Sequence, residues 1–164
     1  SLNYPALVEV GTEIQYNTAY ISKVSKKKLV VHNEINPNIG LIRIFPGITG
    51  SWLDHIISNP GLKALVLETY GSGNAPTDKD FVSTLNKAIK KGILIVNVSQ
   101  CSGGRVEQGK YETSAQLKKI GVIGGYDLTF EAAVTKLMFL LGNEKSKTRV
   151  KVLMTKSLRG EMTT

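Results

Sequence analysis

Two short apolar runs decide the fold: Lys63-Ala-Leu-Val-Leu67 and Gly92-Ile-Leu-Ile-Val-Asn-Val98. Runs of this length and composition are typical of strands that are buried on both faces of a parallel sheet. Each run is followed by a polar, glycine-containing loop and then by a segment with helical periodicity. Because parallel neighbours need long crossover connections, the two runs predict repeated strand–helix–strand units.

Segments on both sides of these runs continue the alternation. Further strands are expected over Gly40–Phe45, which ends at Pro46-Gly47, and over Gly121–Ile123. Expected helices begin near side chains that can cap a helix and continue with apolar residues at helical spacing. The first covers residues 51–58, with Ser51 and Asp54 as a capping box. The second is opened by Thr77 and has the apolar stripe Phe81, Leu85, Ala88 and Ile89. The other three cover residues 111–120, a segment from Asp127 or Thr129 to Leu141, and residues 146–157.

This alternation predicts an α/β fold with a small four-stranded parallel sheet and helices on both faces, a flavodoxin-like three-layer arrangement. The first part of the chain lacks such regularity. Its apolar residues form only short runs, of which Ala6–Val10 and Leu29–His32 are expected to include strands. We therefore predict a connecting arm with a short strand over residues 1–35 and one domain over residues 36–164.

Composition limits the classes of protein to which the chain can belong. The 164 residues are 41% apolar and 21% charged, which is typical of a folded globular domain. No apolar stretch reaches the roughly 18 residues of a membrane span. The single cysteine excludes an internal disulfide and a thiolate zinc cluster, and two isolated histidines cannot form a metal site alone. We expect a cytoplasmic protein with no metal, no cofactor and no membrane contact.

The net charge of +8 raises the question of nucleic-acid binding. Lys26, Lys27 and Lys28 form the only dense basic cluster, in a turn-like stretch before an expected strand. No aromatic residues alternate with the basic ones to stack on bases. We therefore interpret the charge as a solvated surface, or as a face for an acidic partner domain, and predict no nucleic-acid partner.

Three loops follow expected strands or precede expected helices at the carboxyl edge of the predicted sheet, where ligands of open parallel sheets bind. They are Pro46–Gly50, Thr69–Pro76 and Ser99–Arg105, and all are rich in glycine and short polar side chains. Such loops let a small polar ligand approach the backbone closely. Gly71-Ser-Gly73 lacks both the three-glycine dinucleotide fingerprint and the Gly-Lys-Ser/Thr of a phosphate loop, so its glycines are better explained as turn residues.

The same loops contain no complete catalytic set. Cys101 follows a strand but has no histidine near it in sequence, and Ser72 lacks the Gly-x-Ser-x-Gly elbow. His32 and His55 are assigned structural roles on a short strand and in a helix. The residues alone therefore predict a domain with a ligand-facing edge and no nucleophile of its own.

Several motifs, in order along the chain, resemble one family. Glu68-Thr-Tyr-Gly-Ser-Gly-Asn-Ala-Pro76 is similar to the Tyr-Gly-x-Gly-Asn-Ala-Pro loop of type I, cytosolic L-asparaginases. Val96-Asn-Val-Ser-Gln-Cys101 resembles the strand and loop that follow in that family. Asn3–Leu7 is similar to the stretch that joins the family's two domains, and the matches continue at Gly121–Ala133 and Ser157–Glu161. The resemblance thus covers nearly all of the chain.

The resemblance implies a two-domain enzyme that hydrolyses L-asparagine to L-aspartate and ammonia, with this chain as its C-terminal domain. In the family, a threonine of an N-terminal Thr-Gly-Gly-Thr motif attacks the amide carbonyl. Neither that motif nor Gly-Thr-Asp-Thr occurs here, so the N-terminal catalytic domain is expected to be absent and this chain alone to be inactive. The implied partners are L-asparagine, the chain's own N-terminal domain and further copies in a homo-oligomeric dimer or tetramer.

Two residues match positions that support the substrate across a subunit interface. Asn74 matches the family asparagine that reaches the neighbouring subunit's site, and an amide there can both donate and accept hydrogen bonds. The plainer alternative is a turn asparagine that satisfies its own backbone. Tyr111 matches a tyrosine that some members place near the substrate, where its hydroxyl binds or relays a proton.

Two further residues match an allosteric asparagine site that some bacterial members have between subunits. Cys101 matches a cysteine that lines that site. Glu68 stands where an arginine is usual, and this exchange replaces a cation suited to the effector's carboxylate by an anion that repels it. We therefore predict that allosteric activation is lost or altered.

Two other readings stay open from the sequence. One is the asparaginase-like subunit of a tRNA-dependent amidotransferase, which releases ammonia from glutamine. The other is a non-catalytic α/β module that senses a small ligand or mediates an interaction.

Overall fold

The structure is a computed structural model that describes residues 4–110 and 112–163. In these residues the strands are β1 (Val8–Val10), β2 (Ile14–Tyr16), β3 (Ile39–Arg43), β4 (Ala64–Thr69), β5 (Leu94–Ser99) and β6 (Ile123–Gly124). The helices are α1 (Gly50–Ile57), α2 (Lys79–Lys90), α3 (Glu112–Ile120), α4 (Phe130–Asn143) and α5 (Lys147–Met154). None of these helices is long and apolar enough to cross a bilayer.

The predicted parallel sheet is confirmed. Strands β3, β4, β5 and β6 lie side by side in sequence order, and every neighbouring pair is parallel. The register places Val66 of β4 beside Leu41 of β3 and Val96 of β5. Because the strands follow one another in order, the sheet has no switch point at which two crossovers diverge and open a crevice.

Two apolar cores cover the two faces of the sheet, as the near-continuous apolar runs predict. Leu65, Leu67 and Ile95 point to one face, where they pack with buried residues of α1, α2 and α3. Val66 and Val96, one position away, point to the other face and pack with α4 and α5. The alternation of side chains along each strand thus assigns the helices to the two outer layers, and the three-layer α/β prediction is confirmed.

Two helix starts differ from the expected ones. Helix α1 begins after Thr49 rather than at Ser51, because Thr49 has an extended backbone and its Oγ1 accepts a hydrogen bond from the Trp52 N–H. Helix α2 follows Asp78 rather than Thr77. At α4, Thr129 is the capping residue, whereas the Asp127 carboxylate binds the N–H and hydroxyl of Thr163.

The strand expected over Leu29–His32 does not form. No strand of the described residues pairs with this segment, and a single strand has no hydrogen-bonding partner to stabilise it. Leu29 is 91% exposed and Val24 is 94% exposed. The arm does contain one small sheet, the antiparallel hairpin of β1 and β2, whose apolar side chains are also exposed.

The end of the arm lies against helix α4. The Asn143 amide donates to the Glu34 carbonyl at 2.9 Å, and the Asn36 N–H donates to the Met138 carbonyl at 3.0 Å. Gly142 permits this approach, since a Cβ there would come within 2.5 Å of the Glu34 carbonyl oxygen. The backbone of the arm at Glu34 therefore packs so closely against α4 that position 142 has no room for a side chain.

The C-terminal tail folds back onto the same helix. Lys136 of α4 is buried, and its Nζ lies 2.6 Å from Glu161 Oε1 and 2.5 Å from the Lys156 carbonyl. Glu161 in turn accepts from the N–H groups of Leu158 and Arg159 at 3.0 and 2.6 Å. Met162, the next residue, is part of the α4–α5 core.

Candidate functional site

The loop Thr69–Pro76 leaves the central strand β4 at the carboxyl rim of the sheet. Its first residues form a tight turn in which Tyr70 and Asn74 exchange two backbone hydrogen bonds of 2.9 Å. Gly71 and Gly73 have φ values of +49° and +108°. Only glycine adopts such values readily, so the two glycines of the motif are explained by the shape of the turn.

Outside donors fix the three middle carbonyls of this turn. The Ser99 hydroxyl donates to the Gly71 carbonyl at 2.6 Å, the Glu107 N–H to the Ser72 carbonyl at 3.0 Å, and the Asn97 amide to the Gly73 carbonyl at 3.3 Å. These donors belong to β5 and to the loop that follows it. The neighbouring strand therefore determines the conformation of the turn, together with its local sequence.

A buried polar pair lies beneath the turn. The Thr69 hydroxyl donates to Asn97 Oδ1 at 2.6 Å, and both residues are fully buried, Thr69 as the last residue of β4 and Asn97 within β5. Since Asn97 Nδ2 donates to the Gly73 carbonyl, one side chain links the two strands to the turn. Buried amides that lack partners are costly, whereas this one is satisfied on both ends and makes the turn rigid.

Asn74 projects from the end of this anchored turn. Its Oδ1 accepts a hydrogen bond of 2.6 Å from the hydroxyl of Thr113, in the first turn of α3. The side-chain amide is therefore held by a neighbouring helix and not by the backbone of its own turn. This contact leaves Nδ2 as the end of the amide that is directed away from Thr113.

The other predicted support residue, Tyr111, lies outside the described residues. Helix α3 begins immediately after it, at Glu112. Of the described residues near Tyr111 in sequence, Thr113 contacts Asn74 directly. The start of α3 and the turn of Asn74 therefore lie at the same part of the rim.

Glu68 lies on the opposite face of the sheet from the Thr69–Asn97 pair. It alternates with Thr69 along β4, and it is in register with Arg43 of β3 and Val98 of β5. Its side chain is only 6% exposed. Burial raises the pKa of the Glu68 carboxyl above its ordinary value, the charge of Arg43 lowers it, and Glu131 on α4 raises it.

The loop after β5 joins these two faces at the rim. The Gln100 amide donates to the carbonyls of Ile44 and Glu68 at 2.7 and 2.9 Å. Cys101 is exposed, and its N–H donates to the same Ser99 hydroxyl that binds the Asn74 turn. The loop that carries Cys101 is thus bonded through Gln100 to the backbone of Glu68, whereas the Glu68 side chain lies on the opposite face of the sheet from Thr69 and Asn97.

A sizeable groove of the described residues lies elsewhere. It has a volume of about 640 Å³ and is formed by α4, α5 and the C-terminal tail. Its lining includes Phe139, Arg149 and Arg159 but none of the predicted site residues. The groups that carry the recognisable motifs therefore lie on the rim of the sheet and not in this groove. No cluster of metal-ligating side chains occurs in the described part of the chain.

The sequence alone does not mark Thr69, Asn97, Ser99 or Thr113 as supports of this turn. Asn97 carries a signal that was available, because a polar residue inside the apolar run Ile95-Val-Asn-Val98 needs a buried partner. Thr113 carries no such signal, since its contact with Asn74 joins residues 39 positions apart.

Comparison with known proteins agrees with this geometry. Residues 38–154 match the model of the Glutaminase/Asparaginase C-terminal domain. The chain is 39% identical over 163 residues to L-asparaginase 1 of Escherichia coli, which covers 99% of this chain and 48% of that protein. It is 41% identical to the human 60 kDa lysophospholipase over 99% of this chain and 28% of that protein.

A solved structure shows the same arrangement. The L-asparaginase I of Vibrio cholerae superimposes with a TM-score of 0.92 at 37% identity, over 100% of this chain and 49% of that protein. The chain therefore spans about half the length of this enzyme and of the E. coli enzyme. The fold, the motifs on the rim and the family match agree: this chain belongs to the Glutaminase/Asparaginase C-terminal domain family.

Proposed function

We propose that this chain is the supporting half of an L-asparaginase-type amidohydrolase, which hydrolyses L-asparagine to L-aspartate and ammonia. The nucleophilic threonine belongs to an N-terminal domain, and this chain completes the amino-acid site with Asn74 and Tyr111. The proposal is supported by the turn of residues 70–74, in which outside donors hold the three middle carbonyls and Thr113 holds the Asn74 amide.

The chemistry of Asn74 suits an amino-acid ligand. A neutral amide donates to a carboxylate and accepts from an ammonium group without the desolvation cost of a buried charge. The rigid turn places this amide without loss of further conformational freedom when the ligand binds. Asn74 therefore binds and orients, while proton transfer and nucleophilic attack are left to groups outside this chain.

The arm over residues 1–35 is the part that connects to the catalytic domain. Its apolar side chains, among them Val10, Val24 and Leu29, are largely exposed in this chain. Contiguous exposed apolar surface marks an interface. In this proposal the N-terminal domain and a second copy of the protein cover the arm in a cytoplasmic homo-oligomer.

Glu68 and Cys101 define the regulatory part of the proposal. A buried carboxylate at Glu68 repels the carboxylate of an amino-acid effector, so asparagine does not activate the enzyme through this edge. Hyperbolic asparagine kinetics in the full-length protein is the expected result. Sigmoidal kinetics that Glu68→Ala leaves unchanged would contradict it.

The test compares the full-length protein that carries this domain with the chain alone. Ammonia release from L-asparagine is expected only from the full-length protein. Asn74→Ala should lower kcat/KM by roughly tenfold or more, as loss of a hydrogen bond to a charged ligand group requires. Asn86→Ala, on helix α2 away from the turn, is the matched control and should have no effect.

L-Glutamine and a lysophospholipid are tested as substrates in the same assay. L-Glutamine is included because an amidotransferase subunit would release ammonia from it in preference to L-asparagine. A lysophospholipid is included because one relative is named as a lysophospholipase. Activity on neither amide, with L-aspartate still bound, would replace the proposal by a ligand-sensing module.

A further inference from the structure

The groove between α4, α5 and the C-terminal tail, here the α4–α5 groove, has the size and the lining of a small-molecule site. Its volume of about 640 Å³ lies within the range of roughly 300–1,000 Å³ that is typical of ligand pockets. Half-buried apolar side chains line it, among them Phe139, Leu153 and Leu158, which pack against the core of this face of the sheet. The groove therefore offers apolar contact area to a ligand.

The α4–α5 groove is elongated, because it follows one face of α4 over most of that helix. Ala132, Phe139 and Asn143 line it, and so do three residues between them at the helical spacing of three or four positions. From Ala132 to Asn143, at a rise of about 1.5 Å per residue, the lining extends over about 16 Å. A chain-like ligand matches this length, whereas a single ring would leave most of the groove filled with water.

Most polar side chains that line the groove already have partners within the chain. Lys136 is paired with Glu161, and the Asn143 amide donates to two backbone carbonyls. Asn143 Oδ1 lies 3.1 Å from His32 Nδ1, at the end of the arm. A bound peptide would bring an N–H and a carbonyl at nearly every residue, and each would need a partner. An unbranched apolar chain has no such groups and therefore suits this lining better.

Arg149 brings an unpaired positive charge to one end of the groove. It lies in the first turn of α5, which follows the end of α4 after the three residues 144–146. Its guanidinium forms no ion pair or hydrogen bond with any other described residue. The first turn of α5 contains no acidic residue, so the positive end of the helix dipole adds to this charge. Cations exceed carboxylates by one among the charged lining residues, which are Lys136, Arg149, Arg159, Glu144 and Glu161.

We propose that the α4–α5 groove binds a carboxylate with an unbranched apolar chain, of the size of a medium-chain fatty acid. The planar guanidinium of Arg149 binds the carboxylate through two parallel hydrogen bonds, a geometry that suits this pair of groups. The chain runs from there along Phe139 and Leu153 towards Leu158. The inference does not depend on the proposed function, because the groove shares no residue with the turn of residues 70–74.

Calorimetric titration of the full-length protein with decanoate, below the concentration at which decanoate forms micelles, tests the proposal. We expect a Kd below about 1 mM, and an affinity that falls roughly fourfold for each CH₂ group that a shorter chain no longer buries. Arg149→Gln should weaken the binding of decanoate about tenfold, as loss of a hydrogen-bonded charge requires. Lys151→Gln, an exposed position of the same helix outside the groove, is the matched control and should bind as the wild-type protein does.

Thr135→Trp tests the course of the chain. Thr135 is exposed and lines the groove in the N-terminal half of α4, away from the end at Arg149. A tryptophan there should weaken the binding of decanoate more than that of hexanoate, which is too short to reach it. Thr148→Trp, exposed on α5 outside the groove, should change neither affinity.

Three outcomes would overturn the inference: no binding of decanoate to the wild-type protein, equal affinities of the wild-type protein and Arg149→Gln, or an equal effect of Thr135→Trp on both ligands. A wild-type protein that hydrolyses L-asparagine but does not bind decanoate would overturn this inference alone. A protein that binds decanoate through Arg149 but does not hydrolyse L-asparagine would support it and refute the proposed function.

Discussion

Lys136 Nζ lies 2.6 Å from Glu161 Oε1, and this ion pair holds the C-terminal tail against helix α4. The lysine head is enclosed, because it also donates to the carbonyls of Met154 and Lys156. Breaking a buried pair on one side leaves an unpaired charge, which is more costly than the absence of both partners. The pair thus ties the last residues of the chain to the core of the domain.

The stability that the Lys136–Glu161 ion pair contributes should depend on pH. Burial raises the pKa of Glu161, but hydrogen bonds from Lys136 and from the N–H groups of Leu158 and Arg159 outweigh it and lower the pKa to about 2. Because the pKa is lower in the folded state than the ordinary 4.5, the pair stabilises the fold above that value and loses its effect as the pH falls from about 4.5 towards 2.

Chemical denaturation between pH 7 and pH 3 measures this dependence. Glu161→Gln should be less stable than the wild-type chain at pH 7, and the difference should shrink towards pH 3. Glu144→Gln, at the end of α4, is the matched control. A difference of constant size at every pH would show that the charge of Glu161 is not what stabilises the tail.

The contribution of Glu68 to stability should have the opposite pH dependence. Burial raises its pKa above the ordinary 4.5, so the folded state favours the protonated carboxyl. The stability that this group contributes is present at low pH and declines as the pH rises through its folded pKa. Glu68→Gln should therefore raise the denaturation midpoint at pH 7 and have little effect at pH 4.

The control for Glu68 is Glu131→Gln, which removes a neighbouring charge that raises the Glu68 pKa. This variant should move the decline in stability to lower pH without abolishing it. If Glu68→Gln destabilises the chain at pH 7, the carboxylate has a partner whose contribution exceeds the cost of burial, and the prediction is wrong.

Replacing Asn97 should lower the free energy of unfolding by more than the lost side-chain volume explains. Asn97→Ala removes the side-chain donor to the Gly73 carbonyl and the nearer acceptor of the Thr69 hydroxyl, which keeps only a longer contact of 3.4 Å with the Val98 carbonyl. We expect a loss of ~1–3 kcal/mol for the unsatisfied groups, in addition to the lost packing. Urea denaturation of Asn97→Ala and Asn86→Ala measures it, and equal stabilities would contradict the linking role of Asn97.

Substitution of Gly73, in the same turn, should cause a steric clash. A Cβ at this position would lie 2.9 Å from Val106 Cγ1 and 3.2 Å from Asn97 Nδ2, at a φ of +108°. Gly160 has a φ of +83° but open space around its Cβ position. Gly73→Ala should therefore cost ~1–3 kcal/mol more than Gly160→Ala in urea denaturation, since both share backbone strain and only one adds a clash.

The parts of the fold that the sequence predicts are those that local pattern determines. The apolar runs around Val66 and Val96 require a doubly covered sheet, and the structure has one. The apolar run Leu29–His32 has the same β-branched character, but a strand also needs a neighbour, and the described residues provide none. Strand pairing depends on the whole chain, so a short apolar run in an extended segment does not reliably predict a strand.

The site follows the same rule. The glycines and Asn74 are recognisable because the turn needs their backbone conformations and because the motif is compact. Thr113 and Glu161 are not recognisable, because their partners Asn74 and Lys136 are brought to them only by the packing of α3 and of the tail. Contacts over long sequence separation need the tertiary structure before they can be stated.

The ordered succession of strands β3 to β6 has a thermodynamic consequence for any molecule that contacts the rim. A sheet without a dividing crevice offers one wall, so a small ligand is enclosed only when another surface supplies the opposite wall. Occupancy and assembly are then linked: the ligand tightens the complex by the same factor by which the complex tightens the ligand. The apparent affinity for the ligand should accordingly rise with protein concentration until assembly is complete.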